Sequence, residues 1–352
     1  MNRRDFFQPR SAQVLAWPGN DFDDKPTDNW SESAHVLLHL RRWAMATHFE
    51  IILPFGTPAA AEKGAEAFRL LDALEEQMTV YRDSSEISRL NRQAHARPVP
   101  VERRLFGLLQ LAAQIHRDTE GAYDITTGAL IKAWGFFRGP RRVPSDAERE
   151  AARQRSGMDK VTLDAERHTV RYHRPGIEIN LGSIGKGYAL DRLAQKLRSR
   201  GCRRMLLHGG TSSVYAGGCP VGEERGWPVA LLHPWDRRRR LAHVWLRDRA
   251  LGTSAATHQY LEYNGKKLGH LLDPRTGWPA GGIASASVLA PSAAEADALS
   301  TAFYVGGLEL AQRYCATHRG ITALLLPEGE GAEPIVLGFA PHEIVVSRQT
   351  LQ

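Results

Sequence analysis

The sequence predicts an α+β fold. Three observations lead to it. Strand-like runs crowd the second half of the chain, at 205–207, 229–232, 242–246, 285–290, 322–326 and 335–337. Segments with apolar residues at 3.6-residue spacing are interspersed with strands, without the strict alternation of a βαβ chain. No repeat of fixed period divides the 352 residues, a length that suits one large domain or two packed lobes with ample core.

Taken in order, residues 1–40 are polar, weakly periodic and contain Pro and Asp, which reads as an irregular or partly disordered arm. Residues 41–345 read as a single domain. A strand begins near Arg42 and continues through 47–53. Thr57 before Pro58 has the form of an N-cap with proline at the first helical position. That helix is expected to reach Met78, with Phe68, Leu71, Leu74 and Met78 on its buried face. Ser85 marks another helix start. Leu105, Leu108, Leu109, Ala112 and Ile115 define a further helix that stops near Gly121.

Ser145 and Glu148 have capping-box spacing before a polar helix that ends near Gly157. A hairpin follows at 161–163 and 170–172. Residues 177–181 then lead, as a strand, into the glycine-rich turn 182–187. A helix leaves that turn with Leu190, Leu193, Ala194 and Leu197 inward and Gly201 as its stop. Ser292 and Glu295 form a second capping box, and their helix runs past Phe303 to the Gly306-Gly307 pair.

Composition narrows the function classes. No run of 18 apolar residues is present, so no transmembrane segment is expected. The net charge of +7 reads as a solvated basic surface. One arginine cluster, 237–240, falls at a hairpin tip before the alternating run 241–246; Arg138, Arg141 and Arg142 form another. No nucleic-acid motif accompanies either cluster, so nucleic acid is not an expected partner. The basic balance does suit a phosphate-rich ligand.

Cys202, Cys219 and Cys315 show no C-x-x-C pairing and allow at most one bridge. Arg3-Arg4-Asp5-Phe6-Phe7 resembles the start of a twin-arginine export signal, but no apolar stretch follows. The cytoplasm is therefore favoured over export.

Five constellations carry chemistry. Asp297 and Thr301 lie four apart on one helix face and offer hard oxygens, as magnesium requires. Alone, the pair is equally an acidic residue near a helix start. The turn from Asn180 to Gly187 exposes backbone N–H groups able to hold phosphate, although its spacing fits neither a P-loop nor a dinucleotide fingerprint. Lys186 there is a phosphate partner or a solvated side chain. His270, Asp273 and Arg275 share a turn made credible by Pro274 and Gly277; His270 suits a general base, and Asp273 also suits a simple turn cap. Tyr123 and Asp124 place a ring beside a carboxylate, able to grip a heterocycle or to serve the core. Tyr81, before the Ser85 helix, stacks on a ring or packs.

Together these blocks resemble the ApbE family, the FAD:protein FMN transferases. The matching stretches are Met45-Ala46-Thr47, 81–91, 121–134, 180–192, Gly209-Gly210, Thr253-Ser254, 270–279 and 296–301, in order and without a large insertion. The resemblance implies mixed or antiparallel sheets flanked by helices, in two packed lobes with FAD between them. It implies magnesium on Asp297 and Thr301, with Ser183 offering a backbone oxygen. It implies FAD contacts at Met45, Tyr81, Ala122, Tyr123, Asp124, Asn180, Lys186 and Leu271. His270 and Asp273 fall near the reacting phosphate, where either is a candidate base.

The implied activity is transfer of FMN from FAD to a Ser or Thr hydroxyl of an acceptor flavoprotein, with AMP released. FAD hydrolysis and idle FAD binding are the alternatives, and the periplasm is the family-typical compartment. Four positions depart from the pattern. Ala46 and Ala255 stand where the family usually has glycine, and an added methyl can block close approach to a ligand. Asn180 stands where Asp is common, and the turn 208–213 lacks the usual acidic or amide residue.

Overall fold

The computed structural model describes residues 36–236, 238–256, 260–263 and 265–347. The chain runs through β1 (Leu37–Ala44), β2 (Thr47–Pro54), α1 (Ala60–Met78), α2 (Glu86–Gln93), β3 (Val99–Pro100) and α3 (Arg103–Asp118). It continues through α4 (Gly128–Ala133), α5 (Asp146–Gln154), β4 (Val161–Asp164), β5 (Thr169–Tyr172), α6 (Gly185–Ser199), β6 (Met205–Gly209) and β7 (Ser213–Gly217). Then come β8 (Trp227–Leu232), β9 (Arg240–Leu246), β10 (Arg249–Ala255), β11 (Tyr260–Tyr263), β12 (Lys266–Gly269) and β13 (Ile283–Ala290). The long α7 (Ala293–Thr317), β14 (Thr322–Pro327), β15 (Ile335–Leu337) and β16 (Ile344–Val346) complete it.

The expected α+β class holds. Eight strands form one sheet in the order β1-β2-β6-β7-β10-β13-β14-β15, and every neighbouring pair is antiparallel. Both faces of this sheet are buried. Ile51, Leu53, Leu207, Val288 and Leu325 face the helical side, where α1, α6 and α7 pack. Their chain neighbours Ile52, Leu206, Leu289 and Leu324 face the opposite core, shared with Trp227, Leu231, Ala242 and Val244 of β8 and β9. The period of two therefore serves two cores, which is why these strands read as continuous apolar runs. β16, β9 and β8 form a small sheet over the second face.

Several expected boundaries shift for local reasons. β1 begins at Leu37, inside the segment expected to be irregular; residues 1–35 lie outside the described residues, as does Arg237 of the hairpin-tip cluster. The first helix does not open at Thr57. Ala59 has φ 51°, in the left-handed region, so the helix starts after it, and the Thr57 hydroxyl donates to the Pro54 carbonyl at 2.7 Å.

Residues 177–181 form only an isolated bridge, Glu178 with Thr127. A side chain replaces a strand neighbour there. Asn91 Nδ2 donates to the Ile179 carbonyl at 2.9 Å, and its Oδ1 accepts from Ile179 N–H at 2.8 Å. α7 passes the Gly306-Gly307 pair, where Gly307 at φ 76° and ψ −171° breaks the helix, and it resumes to Thr317. Ser85 and Ser145 cap their helices as expected. All three cysteines are free. Among the described residues, no helix is long and apolar enough to cross a membrane.

Candidate active site

The site is built where α6 and α7 meet at their first turns. A β-carbon on Gly187 would lie 2.0 Å from the Ala293 carbonyl oxygen. On Gly252 of β10 it would lie 2.5 Å from the Ala296 carbonyl. Only glycine allows backbone contact this close. The two glycines set the start of α7 directly on α6 and β10.

The helices then cap each other. Asp297 Oδ2 of α7 accepts from Gly187 N–H of α6 at 2.7 Å. Asp191 of α6 accepts from Ala293 and Ala294 N–H of α7 at 2.8 and 2.9 Å. Each carboxylate meets donors that its partner helix cannot satisfy internally, at the positive end of that helix. The Ser292 hydroxyl takes the Glu295 N–H at 3.2 Å. Burial lifts Asp191 to about 6 against the pull of those two N–H groups.

Asp297 is 5% exposed. Its Oδ1 accepts from Ser213 Oγ at 2.7 Å. Burial raises its pKa, and the Lys186 charge, the Ser213 hydroxyl and the Gly187 N–H oppose that rise without cancelling it. One turn on, Thr301 Oγ1 donates to the Asp297 carbonyl at 3.3 Å and lies 3.1 Å from Ser254 Oγ. Ser254 Oγ also lies 2.9 Å from Ser300 Oγ. One hydroxyl thus meets the buried carboxylate, while those of Ser300 and Thr301 meet the Asp297 backbone carbonyl.

These groups face a cavity of about 1040 Å³, at the top of the range of roughly 300–1,000 Å³ for small-molecule sites. Ala122, Asp124, Asn180, Ser183, Lys186, His270, Leu271, Asp297 and Thr301 all line it. Asn180 shapes the turn ahead of α6, with its Oδ1 accepting from Gly182 N–H at 2.9 Å. His270 meets Phe136 edge to face, with centroids 6.4 Å apart. The turn carrying His270 docks on α4 through Trp134, whose Nε1 donates to the Gly277 carbonyl at 2.9 Å.

Four expected residues do not line the cavity. Met45 and Ala46, at φ 49° and 58°, are the two central residues of the β1–β2 hairpin, where both must adopt positive φ. Glycine suits position 46 for that backbone reason. Met45 N–H donates to Glu75 Oε1 at 2.9 Å. Tyr81 is 56% exposed and already stacked on Phe137, with centroids 4.8 Å apart and planes within 4°.

Tyr123 is buried behind Ser183, whose Oγ donates to its hydroxyl at 3.3 Å. Burial raises its pKa and keeps it a phenol. Asp273 is held by Arg275, Nε to Oδ1 and Nη2 to Oδ2, each at 2.9 Å. That engagement makes Asp273 the residue that shapes the turn.

Asp124 borders the cavity, yet its carboxylate serves the loop. It accepts from the Thr126 N–H and hydroxyl at 2.7 and 2.6 Å and from Met158 N–H at 3.1 Å, and it pairs with His116 at 3.3 Å. Sequence reasoning assigned no role to Ser213, Ser254 or Asp191. A lone serine in the otherwise apolar strand 213–217 was the available signal for Ser213.

The donor set fits magnesium. Among the described residues, no group of three His, Cys, Asp or Glu side chains could hold a metal. A cation at Asp297 would depend on one carboxylate, neighbouring hydroxyl or carbonyl oxygens, water and phosphate, as magnesium does. A carboxylate has about four acceptor sites, so the Gly187 and Ser213 bonds leave room for a metal.

Solved structures share this frame. The ApbE protein of Thermotoga maritima superposes with a TM-score of 0.77 at 27% identity, covering 84% of this chain and 96% of that one. The flavin transferase ApbE of Vibrio cholerae gives 0.75 at 28% identity, covering 86% and 97%. With its relatives, this fold defines a transferase. The chain belongs to the ApbE family, which it matches over residues 45–325. The FAD:protein FMN transferase of Klebsiella pneumoniae is 34% identical over 283 residues, 77% of this chain and 80% of that relative. The FAD:protein FMN transferase of Escherichia coli K12 is 29% identical over 315 residues, 88% of this chain and 89% of that relative.

Proposed function

We propose that this chain transfers the FMN half of FAD to a Ser or Thr hydroxyl of an acceptor flavoprotein, with magnesium, and releases AMP. The observation that carries the reading is Asp297. In a member of this family, a buried carboxylate held by donors from two elements faces the same cavity as Lys186, Asn180 and His270. Magnesium bound by Asp297 and Thr301, with the Ser183 carbonyl, would neutralise the FAD diphosphate and the departing AMP.

The chain's own groups account for the rest. Lys186 and the positive end of α6 bring charge to the diphosphate. His270 takes the proton of the acceptor hydroxyl. That oxygen bonds to the FMN phosphorus. The bond from this phosphorus to the bridging oxygen breaks, and AMP leaves with the bridging oxygen. Asp273 and Arg275 hold the turn that aims His270.

The test mixes the chain with FAD, magnesium chloride and a purified protein substrate of the Klebsiella pneumoniae relative. Flavin fluorescence that stays on the acceptor after denaturing electrophoresis is expected. AMP and free FMN without any covalent adduct would replace transfer with hydrolysis.

A further inference from the structure

β7 reads Ser-Val-Tyr-Ala-Gly and is buried at every position. Its first residue, Ser213, points to the helical side of the sheet, as does Tyr215 two residues on. Across the sheet Ser213 is flanked by Gly209 of β6 and Gly252 of β10, so neither neighbour sets a side chain beside it. It is 0% exposed and does not line the cavity, whereas Asp297 does. Ser213 therefore acts on a bound substrate only through another residue.

A hydroxyl in such a place costs stability unless it is bonded, and alanine would fit the strand without that cost. The Ser213 hydroxyl donates to Asp297 Oδ1 at 2.7 Å, and the next hydroxyl, Ser212 Oγ, lies 3.5 Å away. The Gly187 N–H holds the other carboxylate oxygen, Oδ2, also at 2.7 Å. One donor for each oxygen, from β7 and from α6, fixes the plane of the carboxylate against rotation about its Cβ–Cγ bond. Gly187 alone would leave Oδ1 free to swing.

Resting on the magnesium-dependent transferase reading above, we infer that Ser213 is a positioning residue for that reaction. By holding Oδ1 it keeps the Asp297 carboxylate in a fixed plane, with the remaining lone pairs free for a divalent cation in the cavity. The machinery thus reaches one layer deeper than the cavity wall, into a strand residue that meets neither FAD nor the acceptor. Partners of this kind change metal affinity by about 10- to 100-fold.

The probe is manganese, which takes the same hard oxygen ligands as magnesium. Its binding to the full chain, with FAD present and acceptor absent, is read from the loss of the free-ion signal in electron paramagnetic resonance. Ser213→Ala removes one oxygen atom and keeps the strand pairing; it is expected to weaken manganese binding about tenfold. Ser213→Thr keeps the hydroxyl and is expected to hold binding within about threefold of the parent. In the Ala variant, the magnesium concentration that half-saturates transfer is expected to rise by the same factor as the manganese dissociation constant. A merely structural serine would lower the melting temperature of the Ala variant and leave manganese affinity alone, and that result overturns the proposal. So does an Ala-sized loss of binding in a Thr variant that melts at the temperature of the parent. A parent that holds no manganese removes the metal from the transferase reading, and the role of Ser213 with it. A parent that holds manganese with the help of Ser213 yet forms no covalent flavin leaves the metal role standing and removes the transfer reading alone.

Discussion

Asp297 accepts from Ser213 of β7 and from Gly187 of α6 while it faces the cavity. Its truncation would therefore disturb structure and chemistry together. Asp297→Asn separates the two, because an amide still accepts one of those bonds but carries no charge. The Asn variant is expected to fold and to lose at least about 100-fold in transfer rate, since even outer partners of metal ligands cost 10- to 100-fold. A covalent-flavin time course, read beside the melting temperature, checks it; a rate within threefold of the parent would discard the assignment.

His116 joins the end of α3 to the loop that borders the cavity. Burial lowers its pKa, but the hydrogen bond and charge of Asp124 and the Tyr123 carbonyl outweigh that effect, and the pKa ends raised above 6.5. A raised folded value means that protonation stabilises the fold. That contribution is complete below the unfolded value near 6.5 and is lost as pH climbs through the folded value. The difference in melting temperature between the parent and His116→Ala is expected to be larger at pH 6 than at pH 9. An equal difference at both would show that the pair contributes nothing through charge.

At the scale of elements, the junction of α6 and α7 depends on Gly187. Gly187→Ala drives a methyl into the Ala293 carbonyl, which cannot move without displacing α7. A loss of about 1–3 kcal/mol in urea unfolding is expected, together with slower transfer as Asp297 shifts. Gly107, inside α3 with open space around it, is the control. Gly107→Ala gains helix propensity and is expected to stabilise by up to about 1 kcal/mol. If both substitutions behave alike, close backbone approach is not what glycine provides at 187.

The same junction explains what sequence could and could not reveal. α3, α6 and the first half of α7 were legible because each carries apolar spacing and a cap or a glycine stop. β10 was not, since Arg-Ala-Leu-Gly-Thr-Ser-Ala has little strand propensity. Its small residues serve the contact with α7, and that contact is visible only in three dimensions. β7 was missed because it is short and follows a two-glycine turn. The role of Asp191 was equally hidden, as a carboxylate in mid-helix carries no mark of the N–H groups it meets on another helix.

For the whole molecule, the central sheet decides where chemistry is possible. With one face under helices and the other under the β8–β9 hairpin, the cavity forms at the side where β2, β6, β7, β10 and β13 all contribute residues. The α+β class was readable from the strand-rich second half, and the antiparallel sheets only through the family resemblance. The order of strands was not, because it places β2 beside β6 and β10 between β7 and β13. The candidate site was legible through Asp297, Thr301, Lys186, Asn180 and His270, which sit in compact local motifs. Met45, Tyr81 and Asp273 also sit in such motifs, but local backbone, stacking and ion-pair demands engage them, and sequence spacing does not register those demands.

The exchange of carboxylates between α6 and α7 has an evolutionary corollary. A lineage that abandoned flavin chemistry would still need an acid at 297 to keep two helix ends quiet. Its survival in a descendant would testify first to architecture. The more telling relic of lost catalysis would be change at Thr301 or His270, neither of which caps a neighbouring helix.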